Sequence, residues 1–388
     1  MSRGRDVLLP SVTDLLRGRG RRAARPSVHY LVSTAGHPNY GDELITRAWL
    51  DYLRQKRPDD IVWLDCPHPG RASHLFADTH PNLRVTSTLW ELAFSAPDAR
   101  DDGVEARIRA SVRDLGTPKV DPGLLAVRSV DGIHVLGGGY LNKIWPANWG
   151  VLIAVSEYVR AFGRRAHMTG AGLHPHDTED RTWLETVLQD FASVEVRDRP
   201  SAALAGTTLG LDDAFLALAN PRPVWSSAES PEQMVLVQGD LRTWSDSDAV
   251  TAIDRFRGGA RSGWLEAVPP DDIHYARMID PRGRFYSFGE VWADGLPARK
   301  DQRWLTSRFH VHLLAAAAGA AGVVLSGTPG YYDVKHQSLL DLGTGWNLIS
   351  VADAIAGDID PSLSAGFPER ARRLARQKTK LADEIYAL

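Results

Sequence analysis

The chain has 388 residues, of which 43% are hydrophobic, as in ordinary globular proteins. This length is too great for one hydrophobic core, so about two domains are expected. A formal net charge of −3 gives no sign of a nucleic-acid partner, and a single cysteine, Cys66, excludes an intrachain disulfide and fits a reducing compartment.

The first 26 residues contain seven arginines. They have no apolar segment ahead of a cleavage site and so do not resemble a secretory signal. Two interpretations remain open: a flexible, solvated basic tail, or a segment in peripheral contact with anionic membrane lipid. Elsewhere no apolar run reaches the roughly 18 residues of a membrane span. We therefore expect a cytoplasmic protein, either free or peripheral at the inner face of the membrane.

From residue 27 onward, short apolar runs alternate with helical patterns. A strand at residues 28–33 leads through a turn to a helix at 42–56, with Asp42 as the expected N-cap. Further elements follow in order, at residues 61–65 (strand), 132–136 (strand), 149–162 (helix), 165–169 (strand), 177–191 (helix) and 193–197 (strand). Strands alternating with helices predict a parallel doubly wound sheet, in a domain of residues 27–219.

Residues 220–231 break both periodicities and predict a linker, because they are rich in proline and serine. The pattern then restarts, with strands expected at 234–238, 272–277, 284–287 and 347–351 and a helix at 248–257. We assign residues 232–365 to a second domain and residues 366–388 to a C-terminal helix able to pack back on the first. The predicted fold class is α/β, with two Rossmann-like domains facing across a cleft.

The most conspicuous polar residues stand at the start of a predicted helix in the second domain. Ser307 or Thr306 would cap a helix whose first turn carries Arg308 and His310. Free N–H groups and the helix dipole, joined by an arginine and a histidine, make a site for an anion beside a proton donor. An ordinary buried helix with a surface arginine and a core histidine is equally open. His312 lies roughly 200° further round the helix and should point elsewhere.

Other candidate site residues follow the predicted strands of the first domain, where open parallel sheets bind ligands. They are Asn39, Gly41 and Asp42 after the first strand, Gly137, Gly138, Gly139, Tyr140 and Asn142 after the 132–136 strand, and Arg197 after the 193–197 strand. The glycines would let backbone N–H groups approach an oxyanion, although tight packing of strand against helix explains them equally well. Arg197 could meet Arg308 across the cleft and grip a carboxylate and a phosphate. Pairing of Arg197 with Asp198 or Asp213 is the structural alternative.

Several familiar motifs are missing from the sequence. The glycine triplet is neither a GxGxxG nor a Walker A sequence, which argues against dinucleotide and P-loop sites. Asp246 and Asp248 resemble a metal-binding Asp-x-Asp, but at a predicted helix start capping is the simpler interpretation. The 13 histidines include no HExxH, so a metal site is not indicated.

Taken together, these residues resemble the polysaccharide pyruvyl transferase family. The matching segments, in order, are Asn39-Tyr-Gly-Asp-Glu-Leu-Ile45, Ile133-His-Val-Leu-Gly-Gly-Gly-Tyr-Leu-Asn142, Val196-Arg197-Asp198 with Ser201, Asp212-Asp-Ala-Phe215, Ser307-Arg-Phe-His310, and Tyr332 with Lys335. Residues 220–300 give no convincing match.

The resemblance implies a two-domain fold like that of the glycosyltransferase-B group. It also implies transfer of a pyruvyl group from phosphoenolpyruvate to two hydroxyls of a sugar in a glycan or glycolipid, forming a cyclic ketal. Arg197 and Arg308 would then hold the carboxylate and phosphate of the donor. His310 would be the general acid and base, and Lys335 would neutralise the departing phosphate. No metal or redox cofactor is required, because phosphoenolpyruvate is a substrate.

Two other functions remain open. A glycosyltransferase of the same architecture would use a nucleotide sugar and need an acidic residue toward the ribose, for which Asp333 and Glu290 are candidates. A non-catalytic glycan-binding relative is the third possibility. The Arg308 and His310 pair argues against it, since a scaffold needs no proton donor beside an anion site. The modified sugar, the carrier of the acceptor and the oligomeric state are left open.

Overall fold

The computed structural model describes residues 25–328 and 330–386, so nearly all of the predicted basic tail lies outside the described residues. Two parallel sheets form the two halves of the chain, and the predicted α/β class with two Rossmann-like domains is confirmed. No helix within the described ranges is both long and apolar enough to cross a membrane.

The first domain is built on a seven-stranded parallel sheet. Its strands are β1 (Val28–Val32), β2 (Ile61–Asp65), β3 (Leu83–Thr86), β4 (Gly132–Val135), β5 (Arg165–Ala171), β6 (Ser193–Val196) and β7 (Thr208–Leu209). Its helices are α1 (Tyr40–Lys56), α2 (Pro69–Leu75), α3 (Thr88–Ala93), α4 (Val104–Asp114), α5 (Asp121–Val127), α6 (Trp149–Phe162), α7 (Thr178–Leu188), α8 (Arg199–Ala202) and α9 (Ala214–Ala217). The strand order is β3-β2-β1-β4-β5-β6-β7, so the winding reverses between β1 and β4. Such a reversal opens a crevice at the carboxyl ends of the strands.

The second domain repeats this winding with six strands. They are β8 (Gln233–Leu236), β9 (Ser262–Leu265), β10 (Arg284–Tyr286), β11 (Arg303–Thr306), β12 (Ala321–Leu325) and β13 (Asn347–Ile349). Its helices are α10 (Asp246–Arg257), α11 (His274–Ile279), α12 (Phe288–Asp294), α13 (Phe309–Ala318), α14 (Tyr332–Asp341) and α15 (Val351–Ala356), and α16 (Phe367–Ile385) closes the chain. The order β10-β9-β8-β11-β12-β13 places the reversal between β8 and β11.

The burial of the helices agrees with their sequence patterns, as two of them show. Every residue from 149 to 158 in α6 is buried, because this apolar helix packs against α3 and α4 as well as the sheet. Helix α16 instead buries one stripe and leaves its charged face in solvent. That stripe packs against α9 of the first domain and α13 of the second. The C-terminal helix therefore contacts both domains.

Three sequence-based expectations about these elements were wrong. Residues 272–277 are not a strand: a 3-10 turn at Asp271–Ile273 runs into α11, because the Asp272 carboxylate accepts hydrogen bonds from the nearby backbone N–H groups of Ala267 and Val268. The cap of α1 is Asn39, whose side chain accepts from the Gly41 N–H, and Asp42 lies inside the first turn. Helix α13 has Arg308 at its N-cap, with no side-chain cap, because the residues before it form β11.

Candidate active site

The carboxyl ends of both sheets face one cavity of about 460 Å³ between the domains. The first domain lines it through Thr34, His37, Asn39, Gly41 and Asp42 after β1, Pro67 and His68 after β2, Trp90 and Phe94 after β3, Gly139, Tyr140, Trp145 and Asn148 after β4, and Arg197 after β6. The second domain lines it through Asp240 and Leu241 after β8, Ala267, Val268 and Asp271 after β9, Arg308 and His310 after β11, and Tyr331, Tyr332 and Lys335 after β12. A cavity of this size accommodates a small substrate at the position where open α/β sheets bind ligands.

His310 of the second domain meets a carboxylate of the first. Its Nε2 lies 3.3 Å from Asp212 Oδ1, and Asp212 Oδ2 accepts a 2.6 Å hydrogen bond from the guanidinium of Arg197. Burial alone would raise the pKa of Asp212, but His310 and Arg197 outweigh it and hold the pKa well below its usual range. Asp212 is therefore ionised, and its negative charge faces the His310 ring.

Gly41 explains how the histidine reaches this position. A Cβ at residue 41 would lie 1.8 Å from His310 Nδ1, so any side chain here would collide with the ring. Gly41 also lines the cavity, beside Asn39 and Asp42, which are joined by a 2.9 Å hydrogen bond between their side chains. The glycine is needed for close approach of the two domains rather than for an unusual backbone angle.

Arg308 is held by two carboxylates of its own domain. Its Nε donates to Asp272 at 3.0 Å, and one terminal nitrogen donates to Asp240 at 2.6 Å. Burial alone would lower the pKa of Arg308, but Asp272 and Asp240 outweigh it and raise the pKa above its usual value. Arg197 and Arg308 line the same cavity from opposite domains as predicted, and each already has an acidic partner.

Lys335 differs from both arginines because it has no counterion among the described residues. Its Nζ lies 3.5 Å from the centroid of the Tyr331 ring. A Cβ added at Gly139 would be 2.8 Å from this Nζ and 2.9 Å from Arg197 Nη2, so both cations approach the same glycine. Burial and then the charge of Arg197 lower the pKa of Lys335 well below its usual value. A buried amine without an ion-pair partner, placed beside a guanidinium, is a candidate site for an anion, because a bound anion would favour its charged form.

A sequence model of the polysaccharide pyruvyl transferase family matches residues 39–329, which is most of the chain and includes most of the residues that line this cavity. The chain belongs to the polysaccharide pyruvyl transferase family. No curated protein sequence matches it.

Solved structures resemble the fold at low identity. HepE of Anabaena, solved in complex with UDP, is 12% identical, with 93% of this chain and 100% of that one covered and a TM-score of 0.51. A UDP-N-acetylglucosamine 2-epimerase of Listeria monocytogenes, so described provisionally, is 13% identical over 92% of this chain and 97% of that one, with a TM-score of 0.46. At such identities the likeness concerns the fold alone, which is the glycosyltransferase-B arrangement of two facing Rossmann-like domains.

In this member of the pyruvyl transferase family, the glycine-rich motif mostly allows close packing of the turn after β4 against neighbouring segments of the first domain. The Gly137 N–H donates to Asp213 at 2.8 Å, and the Gly138 carbonyl accepts from the Gly172 N–H at 2.9 Å. The prediction that three backbone amides line the cleft was therefore wrong for Gly137, and only Gly139 lines the cavity. A Cβ at Gly137 would lie 2.8 Å from the Gly170 carbonyl oxygen, which is the tight packing considered as the alternative.

Two neighbouring residues of this motif differ in their roles. Asn142 does not line the cavity: its amide donates to the Gly139 carbonyl at 2.9 Å and its side-chain oxygen accepts from the Ile144 N–H at 3.0 Å, so it shapes the turn. Tyr140 lines the cavity, and its hydroxyl donates to the Leu136 carbonyl at 2.7 Å.

The structure also reveals a buried charge network that sequence reasoning missed. Asp213 accepts hydrogen bonds of 2.8 Å from Trp49 Nε1 and from the hydroxyl of Thr169, in addition to the Gly137 N–H. Lys378 of α16 places its ammonium 2.6 Å from the same carboxylate and also bonds Glu195. These partners are spread over more than 300 residues of sequence, so no local pattern could have indicated the network.

His312 points away from the cavity, as its position on the helix predicted. Its Nε2 lies 3.0 Å from the hydroxyl of Thr344, and its ring stacks on Trp346 at 4.7 Å between centroids. Asp246 likewise has a local role, because it lies in the first turn of α10 and is bound by Arg242 and His274.

Proposed function

We propose that the protein transfers a pyruvyl group from phosphoenolpyruvate to two hydroxyls of a sugar, forming a cyclic ketal. The observation that carries this proposal is the contact of His310 with the ionised Asp212–Arg197 pair, next to Lys335, which has no acidic partner among the described residues. Membership of the family independently supports a transferase of polysaccharide synthesis.

The cations of the cleft suit a donor with two anionic groups. Phosphoenolpyruvate carries a carboxylate and a phosphate, and guanidinium groups bind both bidentately. Arg197 and Arg308 approach the cavity from opposite domains, so a donor bound between them would hold the domains together. Lys335 would complete the charge balance at the phosphate, since it has no acidic partner of its own within the described residues.

The proposed reaction needs one group that donates a proton to a carbon atom of phosphoenolpyruvate. As an imidazolium, His310 gives its proton to C3 of the donor, which becomes a methyl group, and the first acceptor hydroxyl attacks the cationic C2. The bond from C2 to the phosphate oxygen then breaks, and the second hydroxyl attacks C2. One hydroxyl proton leaves with the phosphate and the other returns to His310. Asp212 stabilises the charged ring at the start and the end of the cycle.

The glycosyltransferase alternative finds less support in the cleft. Asp333 accepts a hydrogen bond from the Ser326 hydroxyl, and Glu290 pairs with Arg284. Neither of these acidic residues is among the described side chains that line the cavity. A nucleotide ribose in the cleft would therefore not meet the carboxylates considered for it.

Ligand-induced thermal stabilisation tests the proposal directly. A ligand that binds only the folded protein raises its melting temperature. We expect phosphoenolpyruvate to raise the melting temperature of the wild type, and not of Arg308→Ala or Lys335→Met. Lys335→Met is the sharper variant, because removing a lysine without an acidic partner leaves no carboxylate unpaired. Lys119→Met, which changes an exposed lysine outside the cavity, is the control and should keep the shift. A shift with UDP-glucose but none with phosphoenolpyruvate would reject the proposal in favour of a glycosyltransferase.

A further inference from the structure

Two large apolar side chains are exposed at the wall of the cleft. Among the described residues, six large hydrophobic side chains are more than a third exposed: Phe94, Leu125, Ile144, Leu209, Leu241 and Met278. Phe94, which is 52% exposed, and Leu241, which is 44% exposed, both line the cavity, from opposite domains. We call this pair the apolar rim. Exposed apolar groups beside a binding site often mark a surface that a ligand covers.

Leu241 also has a backbone conformation that does not suit leucine. Its φ is +40°, in the left-handed region that glycine adopts readily and other residues rarely do. The Leu241 carbonyl accepts hydrogen bonds from Gln238 at 3.2 Å and from Thr328 at 2.9 Å, which hold this conformation. Folding alone would favour glycine at this position, so the leucine side chain needs another explanation. Strain of this kind is concentrated at ligand sites.

The cavity that contains the rim has polar as well as apolar residues in its lining. His37, His68 and Asp271 line the same cavity, and Asp240 stands next to Leu241 in the chain. An alkyl chain packed here would bury these polar groups without hydrogen-bond partners, which is costly. A pyranose ring presents a face of C–H groups bordered by hydroxyls, and this pattern matches the rim and its neighbours.

We propose that the apolar rim is the acceptor subsite, where the C–H face of a pyranose ring packs against Phe94 and Leu241. Polar residues of the same cavity, such as His37 and His68, then serve as partners for ring hydroxyls, and the reacting pair of hydroxyls is directed toward His310. This assignment of the acceptor position rests on the proposed pyruvyl transfer. Carbohydrate binding at the rim, however, can be tested without the donor.

Saturation-transfer NMR with methyl pyranosides tests where the sugar lies, because it identifies the ligand protons that contact the protein. The probes are the methyl glycosides of glucose, galactose and mannose. We expect the ring C–H protons of at least one glycoside to be saturated in the wild type, and the effect to fall about fivefold or more in Phe94→Ala and Leu241→Ala. Met278→Ala and Leu209→Ala remove side chains of matching exposure, 52% and 46%, outside the cavity, and should bind as the wild type does.

A further variant separates binding from folding. Leu241→Gly removes the rim side chain and relieves the backbone, so it should unfold at the same or a higher temperature and still lose the saturation signal. Wild-type signals in this variant and in Phe94→Ala would overturn the proposal. So would the absence of a signal with every methyl glycoside. Octyl glycosides that are saturated along the alkyl chain and not on the ring would also overturn it, in favour of a lipid site.

The donor experiment keeps the two proposals apart. The melting-temperature shift with phosphoenolpyruvate is measured on the same samples. A rim-dependent sugar signal without a donor shift would reject pyruvyl transfer and leave a carbohydrate subsite. A donor shift accompanied by sugar signals that ignore the rim would reject the subsite alone.

Discussion

Two buried acidic side chains of the first domain differ in protonation: one is ionised and the other is neutral. Their surroundings explain the difference. Asp212 touches a histidine and an arginine, which keep it ionised. Glu43, in the first turn of α1, accepts one hydrogen bond of 2.8 Å from the Gly36 N–H, and its other oxygen has no partner. Burial raises the pKa of Glu43 to about 9. Glu43 is therefore a neutral acid that supports the turn carrying Asn39.

Glu43→Gln should stabilise the protein at alkaline pH. A carboxyl whose pKa is raised in the folded state contributes its full stability below the unfolded value, near 4.3, and loses it as the pH rises toward the folded value. Glutamine keeps the shape without this penalty. We expect a gain of about 5 kcal/mol in the free energy of unfolding at pH 8, from roughly 3.7 pH units at about 1.4 kcal/mol each, and less than about 1 kcal/mol at pH 4.5. Urea unfolding at both pH values measures it. An equal change in the free energy of unfolding at the two pH values would show that Glu43 does not have a raised pKa in the folded protein.

The unpaired Lys335 should couple donor binding to proton uptake. The pKa of Lys335 is lowered in the protein without ligand. A bound anion should raise it, so the protein should take up a proton when phosphoenolpyruvate binds. The affinity for phosphoenolpyruvate should then fall with pH, by up to about tenfold per unit above the pKa of the free enzyme. Calorimetry in buffers with different ionisation enthalpies counts the protons. Lys335→Met should show weaker binding and less uptake, and identical uptake in the variant would reject this role.

At the scale of elements, α16 connects the end of the chain to the floor of the active site. Its one buried cation, Lys378, contacts Asp213 and Glu195, and Asp213 holds the glycine-rich turn through the Gly137 N–H. Burial alone would lower the pKa of Lys378, but the two carboxylates outweigh it and raise the pKa. The helix thus stabilises the turn next to Asp212 without reaching the cavity itself.

Lys378→Met should destabilise the protein and also reduce its activity. The substitution keeps most of the volume but leaves two buried carboxylates without a cation, which costs about 3–5 kcal/mol. Pairing it with Asp213→Asn should recover part of that loss, because the two residues act together. Chemical unfolding of both single variants and the double variant measures the coupling. Additive losses in the double variant would show that the ion pair contributes nothing beyond packing.

At the scale of the whole molecule, the proposed chemistry is divided between the domains. The first domain supplies Asp212 and Arg197, the second supplies His310, and neither domain alone contains the complete site. Direct contacts hold the domains together at the cleft, including a 2.9 Å hydrogen bond from the Tyr40 N–H to the Ala267 carbonyl. Activity should therefore depend on how closely the domains approach.

Gly41→Ala tests this dependence on domain approach. The added methyl would lie 1.8 Å from His310 Nδ1, so the ring or the domains must move apart. We expect about a hundredfold or greater loss of kcat, as is typical when catalytic groups are displaced by an ångström. The melting temperature should fall only slightly, since α1 remains intact. Gly70→Ala, where a Cβ has open space, is the control. Wild-type turnover by Gly41→Ala would show that the contact is not needed.

The sequence predicted the elements whose patterns are local and strong. The strand at residues 61–65 and the helix at 149–162 were predicted with the bounds that β2 and α6 have, because continuous apolar runs reflect burial on both sides. Strands β3, β9 and β11 were missed, since each is only four residues long and carries no clear alternation. Residues 272–277 were assigned to the wrong class because short mixed runs fit either period.

The sequence by itself determined the parallel α/β class with two Rossmann-like domains and the edge of each sheet at which several site residues lie, because strand ends of a doubly wound sheet must meet at one edge. Only the tertiary structure decided which of those residues are in contact with one another. Asp212, Arg197 and His310 form one chain of contacts, Gly137 and Asn142 support a turn, and Lys378 reaches Asp213 from 165 residues away in sequence. Periodicity reports which face of an element is buried, whereas these pairings depend on how the two domains dock.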